Sequence, residues 1–315
     1  MPTAALPHDP LWPRTGNWPA AGETPADLVL VGLPTHETSL SPTRAELTPA
    51  AIRAVLPRYA GHARTDDGRC LDLDTLLRVV DAGDIVAPDA RESDATDRIR
   101  ALAAQHGFVL ALGGDNAATV PAALGAWGRD IDRAGLITLD AHYDLREGRS
   151  NGSPVRRLIE AGLDPRRIVQ IGIADFANSA AYARRADELG ITVIPRQSLE
   201  DAPLGEIVAR ALDIAAAGGG PIHADIDVDV CDRAVAPACP ASVPGGISAA
   251  RLRRTVRLLA RDPRLRSLDI TEIDASADSP DGRTVRLGAQ IVLETIAGYA
   301  ERTGGAAPTG PSRSS

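Results

Sequence analysis

Lysine is absent from this sequence, so all 34 of its basic residues are arginines. Such an alanine-rich, lysine-free composition is typical of GC-rich genes and predicts no function by itself. Cysteine is also scarce. Cys70, Cys231 and Cys239 form neither an even set nor a zinc-type pair, which argues against a disulfide framework. We therefore expect a protein of a reducing compartment, the cytoplasm.

Long apolar segments are missing as well. No run of eighteen apolar residues is present to span a membrane, and the proline-rich first twenty residues lack the apolar stretch of a signal peptide. The formal net charge is -8, and no basic cluster with interleaved aromatic residues occurs, which argues against nucleic acid as a partner. We expect neither export nor a membrane partner, and a small or cationic ligand fits best.

Short apolar runs alternate with segments of helical period. They predict eight strands, at residues 27–32, 77–81, 108–112, 135–139, 167–171, 191–194, 222–227 and 268–272. Helices are predicted at residues 93–105, 154–161, 179–189, 204–216, 248–260 and 284–299. Another helix should start at Thr48, whose hydroxyl would cap it ahead of Pro49 at the first helical position. The repeated strand-then-helix order predicts an α/β fold with helices on both faces of a parallel sheet.

The chain length fits one large domain. We expect that domain at residues 26–302. A loosely ordered arm at residues 1–25 should precede it, and a disordered tail at residues 303–315 should follow it.

Four predicted strands end in acid or amide clusters: FVLALGGDN, GLITLDAHYD, HADIDVD and LDITEID. In open parallel sheets, ligands bind beyond the carboxyl ends of the strands. In the second segment, Asp140, His142 and Asp144 follow the apolar run with a period of two, so an extended chain would point all three to one side. A lone acid here commonly caps the next helix, but capping needs only one oxygen. We interpret DAHYD as a set of metal ligands.

The HADIDVD segment carries Asp225, Asp227 and Asp229, again with a period of two. Carboxylates this close repel each other in a low-dielectric interior unless a cation lies between them, so the segment also predicts a metal. A helix-loop-helix calcium site is the alternative, but the Gly and Glu spacing of that loop is missing. Carboxylates with one imidazole suit manganese, and two such ions with a bridging hydroxide as nucleophile would suit a hydrolase.

The ordered motifs resemble those of the arginase, agmatinase and formimidoylglutamase ureohydrolases. The resemblance runs from about Leu28 to Tyr299 and is carried by GGDN, DAHYD, SNGSPVRRL, DVDVCDRAVAP, VPGG and TEIDASADSPDGRTVRLGA. It implies a three-layer α/β/α arginase-like fold with an eight-stranded parallel sheet. It also implies two Mn2+ ions per chain and assembly into a homo-trimer or homo-hexamer.

By position, the resemblance also implies the ligands of each metal. The first metal would bind Asp140, Asp144 and Asp227, and the second Asp140, His142, Asp227 and Asp229. Two of these acids, Asp140 and Asp227, would bridge the ions. Asn116 occupies the remaining ligand position, which is His in arginases. Asp225 matches no ligand of the family and is expected to support a ligand from behind or to cap its strand.

Two asparagines indicate the nearest subfamily. Arginases and agmatinases typically have His at the position of Asn116 and often at that of Asn151. Bacterial formimidoylglutamases have the GGDN and N-G-[ST]-P-x-R-R patterns that this sequence contains, and IGIADFANSAAY and APACPASVPGG fit them as well. This resemblance implies hydrolysis of N-formimidoyl-L-glutamate to L-glutamate and formamide, in histidine degradation.

The residues around the predicted ligands fit that chemistry. A formimidoyl group is an amidinium, which Glu272 would bind and hold over the nucleophile. Asp144 would relay a proton to the leaving amine, and Asn151 would donate hydrogen bonds to the substrate. Arg146 could make a bidentate contact with a substrate carboxylate. At Ala174 the chain departs from the arginine of the subfamily, which leaves the exact acid substrate open.

Two other functions stay open at this point. A guanidino-acid hydrolase or agmatinase would use the same ligands and release urea. A metal-poor homologue could bind a ligand without turnover, because the amide of Asn116 binds metal more weakly than an imidazole does. Of the remaining histidines, His36 is expected to be exposed to solvent and His223 to be buried with a hydrogen-bond partner.

Overall fold

The computed structural model describes residues 8–302, and a parallel sheet runs through its centre. The strands are β1 (Leu28–Leu33), β2 (His62–Arg64), β3 (Cys70–Asp72), β4 (Val79–Asp84), β5 (Val109–Gly113), β6 (Gly135–Leu139), β7 (Ile168–Ile173), β8 (Thr192–Pro195), β9 (Ile222–Asp227) and β10 (Leu265–Thr271). Eight of them form the sheet in the order β4-β1-β5-β10-β9-β6-β7-β8, and every neighbouring pair is parallel. All eight predicted strands are confirmed within a few residues. The short antiparallel hairpin β2-β3 was not predicted.

Ten α-helices flank the sheet in the part of the chain that the structure describes. They are α1 (Thr48–Val55), α2 (Leu73–Leu76), α3 (Glu92–Gln105), α4 (Thr119–Trp127), α5 (Pro154–Glu160), α6 (Ala180–Leu189), α7 (Ser198–Asp201), α8 (Leu204–Ala215), α9 (Ala249–Arg261) and α10 (Arg283–Arg302). The helices predicted from sequence are confirmed. The prediction missed the four-residue helices α2 and α7. It also missed α4, because the sequence of that helix, TVPAALGAW, is buried on nearly all sides and lacks an amphipathic period.

The helix predicted to start at Thr48 is present, but the reason given for its start is wrong. Leu47 holds the N-cap position, and no side chain caps the helix. The hydroxyl of Thr48 donates instead to the carbonyl oxygen of Ile273. This bond ties α1 to the segment that follows β10.

Helices cover both faces of the sheet, so the fold has three layers. Strands β1, β5, β6 and β9 are buried at every position, as expected for parallel strands covered on both sides. One apolar core joins the sheet to α1, α8, α9 and α10, and two others join it to α3, α4, α5 and α6. The predicted α/β/α architecture is confirmed.

The N-terminal segment contacts the β4 edge of the sheet. Ala20 forms a parallel bridge with Asp81, and the amide of Thr15 donates to the carbonyl oxygen of Tyr59 at 3.1 Å.

The tail predicted at residues 303–315 lies outside the described residues. Between residues 8 and 302, no helix has both the length and the hydropathy that crossing a bilayer requires.

Strand order brings the predicted motifs together. The four central strands β5, β10, β9 and β6 are consecutive neighbours. GGDN begins at the end of β5, Glu272 follows β10, Asp227 ends β9 and DAHYD follows β6. Because the strands are parallel, all four motifs lie at the same edge of the sheet.

Candidate active site

The predicted metal ligands lie around one cavity. A cavity of about 460 Å³ opens at the carboxyl edge of the sheet. Four of the predicted ligands line it, together with Glu272, and they are His142, Asp144, Asp227 and Asp229. Asp140 is fully buried beside them, and its Oδ1 accepts a hydrogen bond from the amide of His142 at 2.6 Å. The structure therefore brings the five principal candidates to one place.

Asp140, His142 and Asp229 form the tightest group, with one ligand atom of each within 4.8 Å of the others. His142 Nδ1 lies 2.6 Å from Asp229 Oδ2 and 3.5 Å from Asp140 Oδ1. The amide of Ala141 donates to Asp229 Oδ1 at 2.8 Å. Asp140 Oδ2 is buried and receives no hydrogen bond from residues 8–302. A buried oxygen without a donor is a suitable ligand for a cation.

The electrostatics of this group also fit a cation. Burial, and then the charge of Asp229, raise the pKa of Asp140 to about 6. Burial opposes a charge on His142, but Asp229 and Asp140 outweigh it and raise the pKa of His142 to about 11. A divalent ion could replace that proton between the two acids. Burial and nearby carboxylates also raise the pKa values of Asp144 and Asp227 well above their usual range. A cation would relieve this repulsion.

These side chains converge for a different reason from the one predicted. Extended backbone ends at Leu139 in β6 and at Asp227 in β9, so a period of two cannot aim the residues that follow. Asp140 Oδ1 accepts from the amide of His142, and Asp227 Oδ1 accepts from that of Asp229 at 2.9 Å. Each acid thus accepts from the amide two residues ahead of it, and this hydrogen bond folds the chain into a turn. The predicted period of two therefore does not aim these side chains, although the predicted residues do lie together.

Asn116 contacts the acid cluster through its amide nitrogen. Nδ2 donates to Asp144 Oδ2 at 2.6 Å. Oδ1 accepts from Thr119 Oγ1 at 2.7 Å and lies 3.2 Å from Thr271 Oγ1. In this orientation Asn116 positions a candidate ligand. Its own role as a metal ligand stays a prediction.

We expect Asn116→His and Asn116→Ala to change manganese affinity in opposite directions. An imidazole is a stronger ligand than an amide, so His should tighten the site. Ala removes the hydrogen bond to Asp144, and loss of such a contact typically weakens metal binding by roughly 10- to 100-fold. Calorimetric titration of the metal-free variants with Mn2+ measures both effects. Affinities equal to that of the wild type in both variants would place Asn116 outside the metal site.

Glu272 presents a carboxylate to the cavity. Its Oε1 accepts from the amide of Asn116 at 2.9 Å and from Asn151 Nδ2 at 2.8 Å. Within residues 8–302, no hydrogen bond reaches Oε2 from another residue. Burial, followed by the charge of Asp115, raises the pKa of Glu272 to about 7. A cationic ligand at Oε2 would favour the charged carboxylate.

Strained backbone is concentrated around the cavity. Four non-glycine residues of the described chain have positive φ, and three of them line the cavity: Asp144 (53°), Phe176 (63°) and Glu272 (62°). This conformation costs roughly 1–3 kcal/mol per residue. The amide of Glu272 donates to the carbonyl oxygen of Gly114 at 2.8 Å. A side chain at Gly114 would place Cβ 2.0 Å from the carbonyl oxygen of Thr35, so the close packing of Gly114 against Thr35 requires glycine.

Arg146 lines the cavity, and its side chain lies against Gly152. Three aromatic residues with no predicted role also line it, and they are Tyr143, Phe176 and Tyr182. The last two lie in IGIADFANSAAY, which was noticed only through the family resemblance. In a sequence with 3% aromatic residues, this clustering was a usable signal.

Asn178 fixes the loop that carries Phe176. Its Oδ1 accepts from the amide of Tyr143 at 3.1 Å. Its Nδ2 donates to the carbonyl oxygens of Ala141 and Ala174, at 2.8 and 3.1 Å. The loop is therefore tied to the segment that carries the DAHYD motif.

Two polar residues of β9 lie behind the site. His223 is fully buried, and its Nδ1 lies 2.7 Å from Ser267 Oγ, as predicted. Asp225 accepts from Thr271 Oγ1 at 3.3 Å and interacts with the carboxyl group of Asp269. Asp225 lies inside the strand, so the suggestion that it caps the strand was wrong.

His36 lies outside the cavity lining. Its side chain is 37% exposed, and its amide donates to Asp89 Oδ2 at 2.9 Å. The expected exposure to solvent is confirmed only in part, because the residue is half-buried.

Comparisons with known proteins find similar sequences and similar folds. The sequence model of the arginase family matches residues 26–298. The chain is 32% identical over 281 residues to the formimidoylglutamase of Halalkalibacterium halodurans, covering 85% of this chain and 86% of that protein. Its structure is similar to that of the Bacillus subtilis formimidoylglutamase, with a TM-score of 0.84, 24% identity, and coverage of 95% of this chain and 96% of the other. A Trypanosoma cruzi formiminoglutamase solved with Mn2+ gives a TM-score of 0.77 at 23% identity, over 88% and 94% of the chains.

Proposed function

The chain belongs to the arginase family, and on this premise we propose that it hydrolyses N-formimidoyl-L-glutamate to L-glutamate and formamide. The observation that carries the proposal is the buried carboxylate of Glu272 beside a cluster of metal-competent side chains. An amidinium needs an anionic partner, and hydrolysis of its C–N bond needs an activated water. Similarity to the Halalkalibacterium enzyme supports formimidoylglutamate over a guanidino acid.

The acid cluster is proposed to bind two Mn2+ ions. The ligands would be Asp140, His142, Asp144, Asp227 and Asp229, with Asp140 and Asp227 shared. Carboxylates with one imidazole suit this ion, and the unpartnered oxygen of Asp140 supports a ligand role. The Mn2+ in the related Trypanosoma cruzi enzyme agrees with this choice. When bound, such a pair supplies the Lewis acidity that makes water a nucleophile near neutral pH.

Two residues of the chain would handle the substrate and its proton, and a third would position one of them. Glu272 would hold the amidinium at Oε2, since Oε1 already accepts two hydrogen bonds. This contact would orient the carbon towards the acid cluster. Asn151 Nδ2 donates to Glu272 Oε1, so Asn151 would orient that carboxylate, and its hydrogen bond to the substrate stays a proposal. Because an amide has no titratable proton near neutral pH, Asn151 would not relay the proton. Asp144 lines the cavity and is proposed to pass a proton to the leaving amine.

Compartment and assembly are further parts of the proposal. Cys70, Cys231 and Cys239 are all free thiols, which agrees with the cytoplasm as a reducing compartment. A homo-trimer or homo-hexamer is proposed for the assembly. Sedimentation of the manganese-loaded protein would test it.

One assay tests the proposed reaction. Manganese-loaded protein is incubated with formimidoylglutamate, agmatine, arginine and guanidinobutyrate, and formamide and urea are measured separately. Formamide from formimidoylglutamate is the expected result. Urea without formamide would assign a guanidino hydrolase. No product from any substrate, with two ions bound per chain, would favour a homologue without turnover.

A further inference from the structure

We propose that the cavity binds only one of the two carboxylates of its substrate, the distal one, through Arg146, and that it therefore accepts amidines of monocarboxylic acids. This inference rests on the proposed function and concerns the substrate range of the same site. It follows from the charged groups around the cavity that form no ion pair within residues 8–302 and could therefore bind a substrate carboxylate.

Arg146 is the single arginine that lines the cavity within residues 8–302, and no described acid forms an ion pair with it. Nearby arginines already have partners: Arg149 pairs with Glu92 at 3.3 Å, Arg156 with Glu160, and Arg185 with Glu147 at 2.5 Å. The guanidinium of Arg156 also donates to the carbonyl oxygens of Arg146 and Gly148, so it holds the backbone of this loop. One cation is therefore available for an anionic substrate.

The other polar side chains of the outer wall are neutral, and two of them are held by hydrogen bonds to the backbone. Asn178 bonds to three backbone groups, and Ser179 Oγ accepts from the amide of Tyr182 at 3.2 Å. Phe176 and Leu40 add exposed apolar surface to the same wall. A second carboxylate would meet no free cation there.

The floor of the cavity disfavours a second carboxylate as well. Three aspartates and Glu272 line the cavity, and Asp140 lies buried beside them. Two Mn2+ ions would offset four of these five negative charges, which leaves no net positive charge on the floor to attract an α-carboxylate. An α-carboxylate near the amidine would stay hydrated at the open side of the cavity and contribute little to binding.

The positions of Glu272 and Arg146 select the distal carboxylate. Glu272, which would hold the amidinium, is 4% exposed, whereas Arg146 lies exposed at the entrance. In formimidoylglutamate, three carbon atoms separate the amidine nitrogen from the distal carboxylate, and one separates it from the α-carboxylate. The longer arm suits a substrate whose amidinium lies at Glu272 on the floor and whose carboxylate reaches Arg146 at the entrance.

Three substrates test the inference on the manganese-loaded enzyme. N-formimidoyl-4-aminobutyrate keeps the distal carboxylate at the same spacing and lacks the α-carboxylate. N-formimidoyl-L-2-aminobutyrate keeps the α-carboxylate and lacks the distal one. We expect kcat/KM for the first to stay within tenfold of the value for formimidoylglutamate, and that for the second to fall by more than tenfold.

Arg146→Gln supplies the matching variant. It should lower kcat/KM by more than tenfold for the two substrates with a distal carboxylate, mainly through KM, because this contact binds the ground state and the transition state alike. It should leave N-formimidoyl-L-2-aminobutyrate unaffected. Arg185→Gln is the control, since Arg185 pairs with Glu147 outside the cavity, and all three values should stay within twofold.

Two results would overturn the inference and leave the proposed function intact. One is a loss of more than tenfold when the α-carboxylate is removed. The other is an equal effect of Arg146→Gln on all three substrates. Absence of formamide from all three would instead reject the proposed function, and the inference with it.

Discussion

Replacement of Asp227 by asparagine is expected to abolish manganese binding and turnover while the chain stays folded. On the proposed assignment, Asp227 would be a ligand of both ions. Removing one partner of a buried ionic pair costs about 3–5 kcal/mol. Applied to metal binding, this is a loss of affinity of roughly 150- to 5,000-fold, at 1.36 kcal/mol per factor of ten. Both ions should be affected, because each would lose a ligand.

Without metal, the Asp227→Asn variant should be at least as stable as the wild type. Burial, followed by the charges of Asp229 and Asp140, raises the pKa of Asp227, so these acids repel each other in the absence of a cation. An amide at this position removes that repulsion. We therefore expect the metal-free variant to unfold at the same temperature as the wild type or at a higher one. Added Mn2+ should raise the Tm of the wild type only, since a ligand at about 1,000 times its Kd adds about 4 kcal/mol.

Metal analysis, thermal unfolding and turnover together check this prediction. Asp225→Asn is the matched control, because Asp225 lies two residues earlier in β9, is equally buried and matches no ligand. It should keep two ions per chain and turnover within about threefold, as expected for a site with little effect on the chemistry. Two retained ions in Asp227→Asn would reject the assignment. Loss of the ions in both variants would point to disruption of β9 instead.

Much of the fold could be predicted because buried parallel strands leave a clear signal. Runs such as LVLVGL and GLITL are apolar or small enough to be buried on both faces, and their repeated alternation with helices specified the layers. The helix α4 gave no such signal, because burial on nearly all sides removes the period that identifies a surface helix. Family resemblance added the complete architecture, which the structure confirms.

The residues of the candidate site could be predicted from the sequence, but their geometry could not. Acids at strand ends identified Asp140, Asp227 and Glu272, because parallel strands bring their carboxyl ends together. The turns that aim these acids depend on hydrogen bonds such as that from the amide of Asp229 to Asp227, which no periodicity reports. No sequence pattern predicts the left-handed backbone at Glu272 and Phe176 either, because contacts with distant residues stabilise it.

Glu272→Gln is expected to abolish most turnover while both metal ions remain bound. In the structure, Oε1 accepts from the amide of Asn116 and from Asn151 Nδ2. Glutamine can keep both bonds only with its carbonyl oxygen at that position. Its amide nitrogen then replaces Oε2 and points donors at an amidinium that has only donors itself.

The expected size follows from the loss of a buried charge pair. Truncating one partner of such a pair costs about 2–5 kcal/mol, so kcat/KM should fall roughly 30- to 5,000-fold. N-formyl-L-glutamate, in which a neutral carbonyl replaces the amidinium, separates charge from shape. As a competitive inhibitor it should bind the variant at least as tightly as the wild type. A parallel loss of inhibitor affinity and of turnover would mean that Glu272 shapes the cavity. A loss of turnover alone would identify the carboxylate as the group that recognises the positive charge of the substrate.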